Sequence, residues 1–244
     1  MDADGRLDGQ GALITGASSG IGRATALAFA AAGASVALLA RRADALEAVA
    51  AEVRAGGGRA SVHAADLTDG PAARAAVAAA GAALGRLDVV VYAAGTNIPG
   101  RALSVLSPED WDALLRANLS GAFDVTQAAL PLMRNRGAGL LIYVSSGAVQ
   151  RPDVSGVAYQ ATKHGLVGLA HGTREEERGN GIRTTVIFPG LTETPLLDKR
   201  PAPTPPDVVA KALQPEDVAR ACLFVAGLPA RARVPELQLL PAGL

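Results

Sequence analysis

The sequence predicts one α/β domain built on a parallel, doubly wound sheet. Short apolar segments alternate with longer helical patterns, the segments are apolar throughout, and glycines close the first two helices. Such strands, when helices separate them, are typical of a parallel sheet that is covered on both faces. Right-handed crossovers then give a doubly wound fold. The length of 244 residues and the absence of a recognisable linker favour a single domain over 1–244.

The expected elements follow one another in a regular βα order. Strands are predicted at 11–15, 35–40, 60–65, 87–94, 139–146, 182–188 and 236–240. Helices are predicted at 21–33, 43–58, 69–84, 108–136, 156–178 and 215–227. The segment 194–206 contains five prolines, which exclude a continuous helix or a central strand. We expect this segment to be a mobile loop or lid on the substrate side.

Composition and charge exclude several classes of function. The 23 basic and 23 acidic residues cancel, so nothing favours nucleic acid or an anionic membrane as a partner. No apolar run approaches 18 residues and the N-terminus does not resemble a signal peptide, so no membrane span or export is expected. The single cysteine, Cys222, indicates a reducing, cytoplasmic setting and is expected to be a buried core residue.

Two further groups of polar residues are expected to carry no site. The three histidines are not grouped with cysteine or paired carboxylates at ligand spacing, so no metal site is predicted. The charged run "REEER" at 174–178 is interpreted as a solvated helix end.

A glycine-rich turn, "TGASSGIG" at 15–22, joins the first strand to the first helix. Glycines permit a tight turn and a close approach of the backbone to a pyrophosphate, and the helix N-terminus offers free N–H groups to an anion. The alternative is a strand–helix turn that binds nothing. Its position after the first strand favours a dinucleotide site.

The end of the second strand indicates which dinucleotide is bound. An acidic residue there would bind the 2′-hydroxyl of an adenosine ribose, but this chain has "LLARRADAL", with Arg41 and Arg42. A planar guanidinium suits a phosphate, so NADP(H) is predicted in preference to NAD(H). The alternative is that both arginines only begin a solvated helix.

The pentapeptide "YQATK" places Tyr159 and Lys163 on one face of a helix. A tyrosine has a pKa near 10, and a neighbouring ammonium group favours its ionised form. Tyr159 is therefore predicted to donate a proton in reduction and accept one in oxidation. Ser146, at the end of the fifth strand, is placed to hold the substrate oxygen. The alternative is an ordinary surface pair beside a turn serine.

The order and spacing of these motifs resemble the short-chain dehydrogenase/reductase family over nearly the whole chain. The matching segments are "TGASSGIG", "ADLTD" with Asp66, "ANLSG" with Asn118, Ser146 thirteen residues before Tyr159, "YQATK", and "FPGLTET" at 188–194.

The resemblance implies a Rossmann-like sheet of about seven strands in the order 3-2-1-4-5-6-7. It implies the catalytic residues Asn118, Ser146, Tyr159 and Lys163, with Asn118 helping to position a water that relays protons. It implies that the cofactor is held by Gly16, Ser18, Ser19, Gly20, Ile21, Gly22, Arg41, Arg42, Asp66, Leu67, Ala94, Gly95, Tyr159, Lys163, Pro189, Gly190, Thr192 and Thr194. It further implies a homotetramer or homodimer that acts on a small carbonyl or alcohol.

One departure from the family pattern follows the fourth strand. The family usually has Asn-Asn-Ala-Gly, whereas "YAAG" places Tyr92 and Ala93 at the asparagine positions. We interpret this change as structural, because the resemblance assigns no proton transfer to these positions.

The expected function is NADP-dependent interconversion of a carbonyl and a secondary alcohol. A silent NADP(H)-binding regulator and a lyase or epimerase on the same scaffold remain alternatives. The substrate is not defined, and the expected cavity walls are 96–103, 147–154 and 191–206. They include Ile98, Leu103, Val149, Leu191, Leu196, Leu197, Asn97, Arg101, Gln150 and Arg151.

Overall fold

In the computed structural model, which describes residues 7–244, seven strands form one sheet. The strands are β1 (Gly11–Thr15), β2 (Ser35–Ala40), β3 (Arg59–Ala64), β4 (Val89–Tyr92), β5 (Gly139–Val144), β6 (Ile182–Pro189) and β7 (Glu236–Leu239). The α-helices are α1 (Gly20–Ala31), α2 (Ala43–Ala55), α3 (Gly70–Leu84), α4 (Pro108–Leu115), α5 (Gly121–Arg134), α6 (Val157–Glu176), α7 (Pro206–Val209) and α8 (Pro215–Gly227).

The sheet is parallel throughout, and its order is β3-β2-β1-β4-β5-β6-β7. This confirms the predicted fold class and strand order. Strand β1 pairs with β2 on one side and with β4 on the other. The chain thus reverses its direction of winding at β1, and a crevice opens there beyond the carboxyl ends of the strands.

Two apolar layers cover the two faces of the sheet. One contains Phe29 of α1, Leu46 of α2 and Val218 of α8, and the other contains Val77 of α3 and Leu166 of α6. Strands buried on both faces explain the unbroken apolar segments in the sequence. In the first layer Cys222 is fully buried, as expected, and burial raises the pKa of its thiol to about 12.

The predicted helix over 108–136 is interrupted. A π-helical turn, Arg116–Ser120, separates α4 from α5, and Asn118 lies within it. A π turn accommodates an extra residue without ending the helix, so hydrophobic periodicity does not reveal it. Trp111, the only tryptophan of the chain, lies half-buried on α4 just before this turn.

The proline-rich segment 194–206 contains no strand or long helix, in agreement with the sequence. It does contain a 3-10 turn at Pro195–Lys199, and α7 begins at Pro206. Proline is compatible with the first turn of a helix, because its missing N–H is not needed there.

The interpretation of 174–178 as a solvated helix end is wrong for one residue. Glu177 is buried, and its carboxylate accepts hydrogen bonds from Arg134 at the end of α5 and from Asn180. The hydrogen bond with Arg134 holds the pKa of Glu177 below its usual value. The residue that directly follows α6 is therefore buried, and the pattern of charged residues in the sequence does not predict this burial.

Candidate active site

The glycine turn forms the floor of the crevice at β1. Gly16 and Gly20 have φ values of 66° and 52°, a conformation that side-chain-bearing residues rarely adopt. A Cβ on Gly16 would lie 2.9 Å from the Cα of Ala94, so the turn packs directly on the chain that leaves β4. Ser19 precedes α1 without a side-chain cap, which leaves the first N–H groups of the helix to serve a ligand.

A cleft of about 470 Å³ extends from this turn across the ends of β2 and β4. It collects most of the predicted cofactor residues: Gly16, Ser18, Ser19, Gly20, Ile21, Gly22, Arg41, Arg42, Asp66, Leu67, Ala94, Gly95 and Thr194. The other predicted residues lie elsewhere. Tyr159, Pro189, Gly190 and Thr192 line a second cavity, whereas Lys163 lines neither.

The two arginines after β2 stand at the rim of the cleft with exposed side chains. The guanidinium of Arg42 donates a 3.3 Å hydrogen bond to the hydroxyl of Ser18 in the glycine turn. Across the cleft, a carboxylate oxygen of Asp66 accepts from the main-chain N–H and the hydroxyl of Thr68, each at 2.9 Å. Among residues 7–244, neither guanidinium forms an ion pair with a carboxylate, so both are available at the position where a ribose phosphate would bind.

The second cavity, of about 440 Å³, adjoins the first. Ile21, Thr194 and Leu196 line both, so an elongated ligand in the cleft would reach the second cavity. Ser146 and Tyr159 line the second cavity together. The structure therefore brings the predicted proton donor and its partner serine to the end of the predicted cofactor site.

Ser146 lies close enough to Tyr159 for its hydroxyl to lower the pKa of the phenol. Burial raises the pKa of Tyr159, and this exceeds the lowering effects of Ser146 and of the Arg101 charge. This direction is opposite to the one expected from Lys163. The Nζ atom of Lys163 lies 5.6 Å from the centre of the Tyr159 ring, and desolvation is the largest influence on the pKa of the phenol.

Lys163 is almost completely buried beneath the tyrosine. Its ammonium group donates a 2.9 Å hydrogen bond to the carbonyl of Val144 at the end of β5. Burial lowers the pKa of Lys163 to about 8. The hydroxyl of Ser145 donates to the main-chain carbonyl of Lys163 at 2.9 Å, which fixes this turn of α6 against the sheet.

The side chain of Asn118 is fully buried and all its polar atoms have partners. Its Oδ1 accepts from the N–H of Thr96 at 2.7 Å, and its Nδ2 donates to the carbonyl of Thr96 and to the hydroxyl of Thr162 at 2.9 and 3.1 Å. Asn118 thus joins the loop after β4 to α6, the helix that carries the Tyr-Lys pair. A Cβ on Gly95 would lie 3.4 Å from both Asn118 and Lys163, so only a small residue fits between them and the cleft.

Tyr92 has a definite structural function. Its buried hydroxyl donates a 3.0 Å hydrogen bond to the carbonyl of Ala117 inside the π turn. Its neighbours Ala93 and Ala94 donate their N–H groups to the hydroxyl of Thr15, each at 3.2 Å. The sequence identified Tyr92 as a departure from the family pattern but gave no partner for it, because the π turn was not predictable.

The cavity walls agree with the sequence only in part. Six expected side chains line the second cavity, namely Asn97, Arg101, Arg151, Leu191, Leu196 and Leu197, whereas Ile98, Leu103, Val149 and Gln150 do not. Gln238, Leu240, Pro241 and Leu244 complete the wall and were not expected. These residues lie at the end of β7 or after it. Because β7 pairs with β6, the predicted strand order already places this segment beside the strand that leads to Pro189 and Gly190.

Comparison with known proteins agrees with this geometry. Residues 10–204 match the short chain dehydrogenase family. A curated relative, D-threitol dehydrogenase of Mycolicibacterium smegmatis, is 36% identical over 234 residues, which are 93% of this chain and 89% of the relative.

Solved structures show the same architecture. A metagenomic short-chain oxidoreductase in complex with NADP has a TM-score of 0.84 and 35% identity, and the match covers 97% of this chain and 98% of the other. A 3-ketoacyl-(acyl-carrier-protein) reductase of Brucella melitensis in complex with NADH has a TM-score of 0.87 and 30% identity, with 96% and 97% covered.

The fold and the site define a nicotinamide-nucleotide oxidoreductase. The chain belongs to the short chain dehydrogenase family. Its residues fit the nicotinamide cofactor of that family, because the glycine turn, the uncapped start of α1 and the two arginines line one continuous cleft. Among residues 7–244, no helix has both the length and the hydropathy needed to cross a membrane.

Proposed function

We propose that the protein is an NADP(H)-dependent oxidoreductase that interconverts a carbonyl and a secondary alcohol on a small molecule. The position of Ser146 and Tyr159 together on the wall of a cavity that adjoins the nucleotide cleft carries this proposal. A bound nicotinamide supplies or accepts the hydride. The chain's own residues hold the substrate oxygen and move its proton.

Tyr159 is the proposed proton donor in reduction and the acceptor in oxidation. Because burial raises its pKa, the phenol is protonated at neutral pH and is ready to act as an acid. The hydroxyl of Ser146 would hydrogen-bond the substrate oxygen and hold it beside the phenol. A protonated phenol can donate its proton directly, so this protonation state favours reduction of a carbonyl over oxidation of an alcohol.

Lys163 and Asn118 are proposed to support this proton transfer. With a pKa of about 8, Lys163 is mainly cationic at neutral pH and would stabilise the negative charge that forms when Tyr159 loses its proton. The amide of Asn118 is occupied by Thr96 and Thr162, so we assign its side chain to positioning. The family resemblance implies that Asn118 also helps to position the relay water.

The proposed cofactor site extends through both cavities. The glycine turn, Asp66, Leu67, Ala94 and Gly95 would hold the adenosine and pyrophosphate, and the nicotinamide end would lie near Lys163, Pro189, Gly190, Thr192 and Thr194. Arg41 and Arg42 would bind the 2′-phosphate, which favours NADP(H) over NAD(H). The Arg42–Ser18 hydrogen bond supports this preference by directing one guanidinium towards the turn.

Replacing Tyr159 by phenylalanine tests the mechanism. We expect NADPH oxidation with a panel of aldehydes and ketones to fall by about a hundredfold or more, because positioned acid catalysis contributes on that scale. NADPH should still bind, because most of the proposed cofactor contacts lie in the first cleft, which Tyr159 does not line.

Tyr143→Phe is the matched control for this experiment. Tyr143 is also buried, but its hydroxyl contacts Thr126 and lines neither cavity. Equal turnover in the wild type and Tyr159→Phe would contradict the assignment.

Two alternatives predict different results from the same panel. A silent regulator would bind NADPH tightly and reduce no carbonyl compound. A lyase or epimerase would convert substrate without net NADPH consumption.

We also propose that residues 1–244 act as one catalytic domain, in the cytoplasm, and as a homodimer or homotetramer. The exposed side chain of Phe123 on α5 supports the assembly, because an exposed aromatic residue on a long helix is suited to an interface. The solution mass, measured by light scattering, should be two or four times 24.6 kDa.

A further inference from the structure

The cavity beside Tyr159 has an excess of positive charge. Three arginines line it, Arg101, Arg151 and Arg200, whereas Asp153 is the one carboxylate side chain among the lining residues. The chain as a whole is neutral, so this excess is local.

Arg101 is the least exposed of these arginines. Only 8% of its surface is accessible, and its buried Nε makes no hydrogen bond with any described residue. One other nitrogen of the guanidinium donates a 2.6 Å hydrogen bond to the carbonyl of Lys199. A buried guanidinium with an unpaired donor is costly, so a protein seldom keeps one without a ligand for it.

The backbone holds Arg101 close to the reacting groups. Gly156 directly precedes α6 and has a φ of 94°, and a Cβ at this position would lie 2.7 Å from the Cβ of Arg101. The arginine is therefore packed against the start of the helix that carries Tyr159. The charge of Arg101 acts on the phenol, since it is one of the influences that lower the pKa of Tyr159.

The second charge comes from the proline-rich segment. Arg200 follows the 3-10 turn at Pro195–Lys199, and its guanidinium donates a 3.0 Å hydrogen bond to the hydroxyl of Thr204. Arg200 lies close enough to Arg101 for the two charges to repel, and burial and this repulsion lower the pKa of Arg101. A shared anion would remove that repulsion.

The other walls indicate the rest of the ligand. Leu191, Leu196, Leu197 and Leu240 give the cavity an apolar side. The hydroxyl of Ser155 is buried at the same cavity, has no hydrogen-bond partner among the described residues and is a further donor.

We infer that the natural substrate is a carbonyl or alcohol compound with an anionic group, a carboxylate or a phosphate, which Arg101 binds together with Arg200. This inference rests on the proposed function, because it identifies the substrate class of the same site. The anion would orient the compound so that its carbonyl oxygen meets Ser146 and Tyr159, and the apolar wall would hold the carbon chain between them.

The test compares matched substrate pairs. Oxo acids with the carboxylate one to four carbons from the carbonyl are each paired with their methyl ester, and phosphorylated hydroxyketones are paired with the free alcohols. In the wild type we expect kcat/KM for one anionic series to exceed that of its neutral partners by about tenfold to a hundredfold, the value of one charge-assisted hydrogen-bonded pair. The preferred series distinguishes carboxylate from phosphate.

Variants then assign the effect to the arginines. In Arg101→Gln and in Arg200→Gln the ratio of kcat/KM for the anionic compound to that for its neutral partner should fall by about tenfold, because only the anionic compound loses a charge-assisted contact. Arg101→Lys should restore part of the preference, because it restores the charge without the planar fork. Arg220→Gln is the control, since Arg220 is exposed on α8 and lines neither cavity.

A binding measurement keeps the inference testable without turnover. With NADP+ present, succinate and inorganic phosphate are added separately, and the unfolding temperature of the wild type is compared with that of Arg101→Gln. We expect at least one anion to stabilise the wild type only.

The outcomes separate the two proposals. Equal rates on acids and esters in an active wild type would overturn the anion inference and leave the proposed function intact. Equal loss of both rates in Arg101→Gln would mean that Arg101 only ties down Lys199, and this would also overturn it. No reduction of any carbonyl compound would contradict the proposed function, and the binding measurement would then decide the anion inference alone.

Discussion

At the scale of single residues, the site contains an ionisable side chain, Lys163, whose burial disfavours its charged form. Lys163 is cationic at neutral pH although it is almost completely buried, and its ammonium group donates a hydrogen bond to the carbonyl of Val144. Placing an ammonium group there has a cost, because burial disfavours the charged form. We interpret this cost as the price of holding a positive charge beneath Tyr159.

This cost gives the protein a measurable pH dependence. In the folded state the pKa of Lys163 is about 8, below its ordinary value of 10.5. Between these two values the unfolded chain binds the extra proton, so the free energy of unfolding rises with pH in this window. We expect the difference in unfolding free energy between wild type and Lys163→Met to change in favour of the wild type by about 2 kcal/mol from pH 7.5 to pH 9.5.

Urea denaturation of both proteins at the two pH values measures this change. Titrating groups common to both proteins cancel in the difference. A constant difference between pH 7.5 and pH 9.5 would show that the pKa of Lys163 is not depressed.

At the scale of elements, the π turn between α4 and α5 is the feature that joins the sheet to the proton-transfer groups. Tyr92, the last residue of β4, donates to the carbonyl of Ala117 within the turn, and the next residue, Asn118, bonds Thr96 and Thr162. Strand β4, the turn and α6 are thus linked by side-chain hydrogen bonds. Burial raises the pKa of Tyr92, so its hydroxyl remains a donor over the whole working range of pH.

Tyr92→Phe should weaken both the fold and the catalysis. Loss of the hydroxyl leaves the Ala117 carbonyl without this donor, and a buried unsatisfied group costs about 1–3 kcal/mol. We expect kcat to fall because Asn118 is less well held, with little change in NADPH affinity. Stopped-flow or steady-state rates and urea denaturation give the two values.

Tyr143→Phe is again the matched control. This change removes the buried hydrogen bond with Thr126, so it should cost similar stability, but Tyr143 lines neither cavity. If both variants lose stability and keep full kcat, the π turn has no catalytic importance.

At the scale of the whole molecule, the nucleotide cleft crosses the ends of the central strands, so a bound dinucleotide should stabilise the entire fold. At a concentration of about one hundred times Kd, NADPH should add about 2.7 kcal/mol to the free energy of unfolding. For a chain of this length that corresponds to a rise of roughly 5–10 °C in Tm. NADH at the same concentration should give a smaller rise, because it has no 2′-phosphate for Arg41 and Arg42.

Substitution of both arginines by serine should make the two shifts equal, and Arg220→Ser should leave their difference intact. Differential scanning fluorimetry is sufficient for this comparison. Identical shifts with NADPH and NADH in the wild type would rule out the proposed cofactor preference.

Periodicity and turn chemistry predicted most of the fold, because buried parallel strands and glycine-closed helices leave strong local signals. The Gly16–Gly22 turn and the Ser146–Tyr159 spacing are local too, and both proved to face the paired cavities. The features that sequence missed depend on distant contacts. The buried carboxylate of Glu177 is paired with Arg134, which lies 43 residues earlier in the chain. The hydroxyl of Tyr92 has an acceptor because the π turn places the carbonyl of Ala117 beside it.

The position of Trp111 has a spectroscopic consequence. Since the chain has no other tryptophan, excitation at the red edge of protein absorption reports on one place only, the helix that enters the π turn. Indole emission overlaps the absorption of reduced nicotinamide, so energy transfer from Trp111 would follow NADPH binding without any added dye. The same signal, recorded in Tyr92→Phe, would show whether that helix shifts when its anchor is removed.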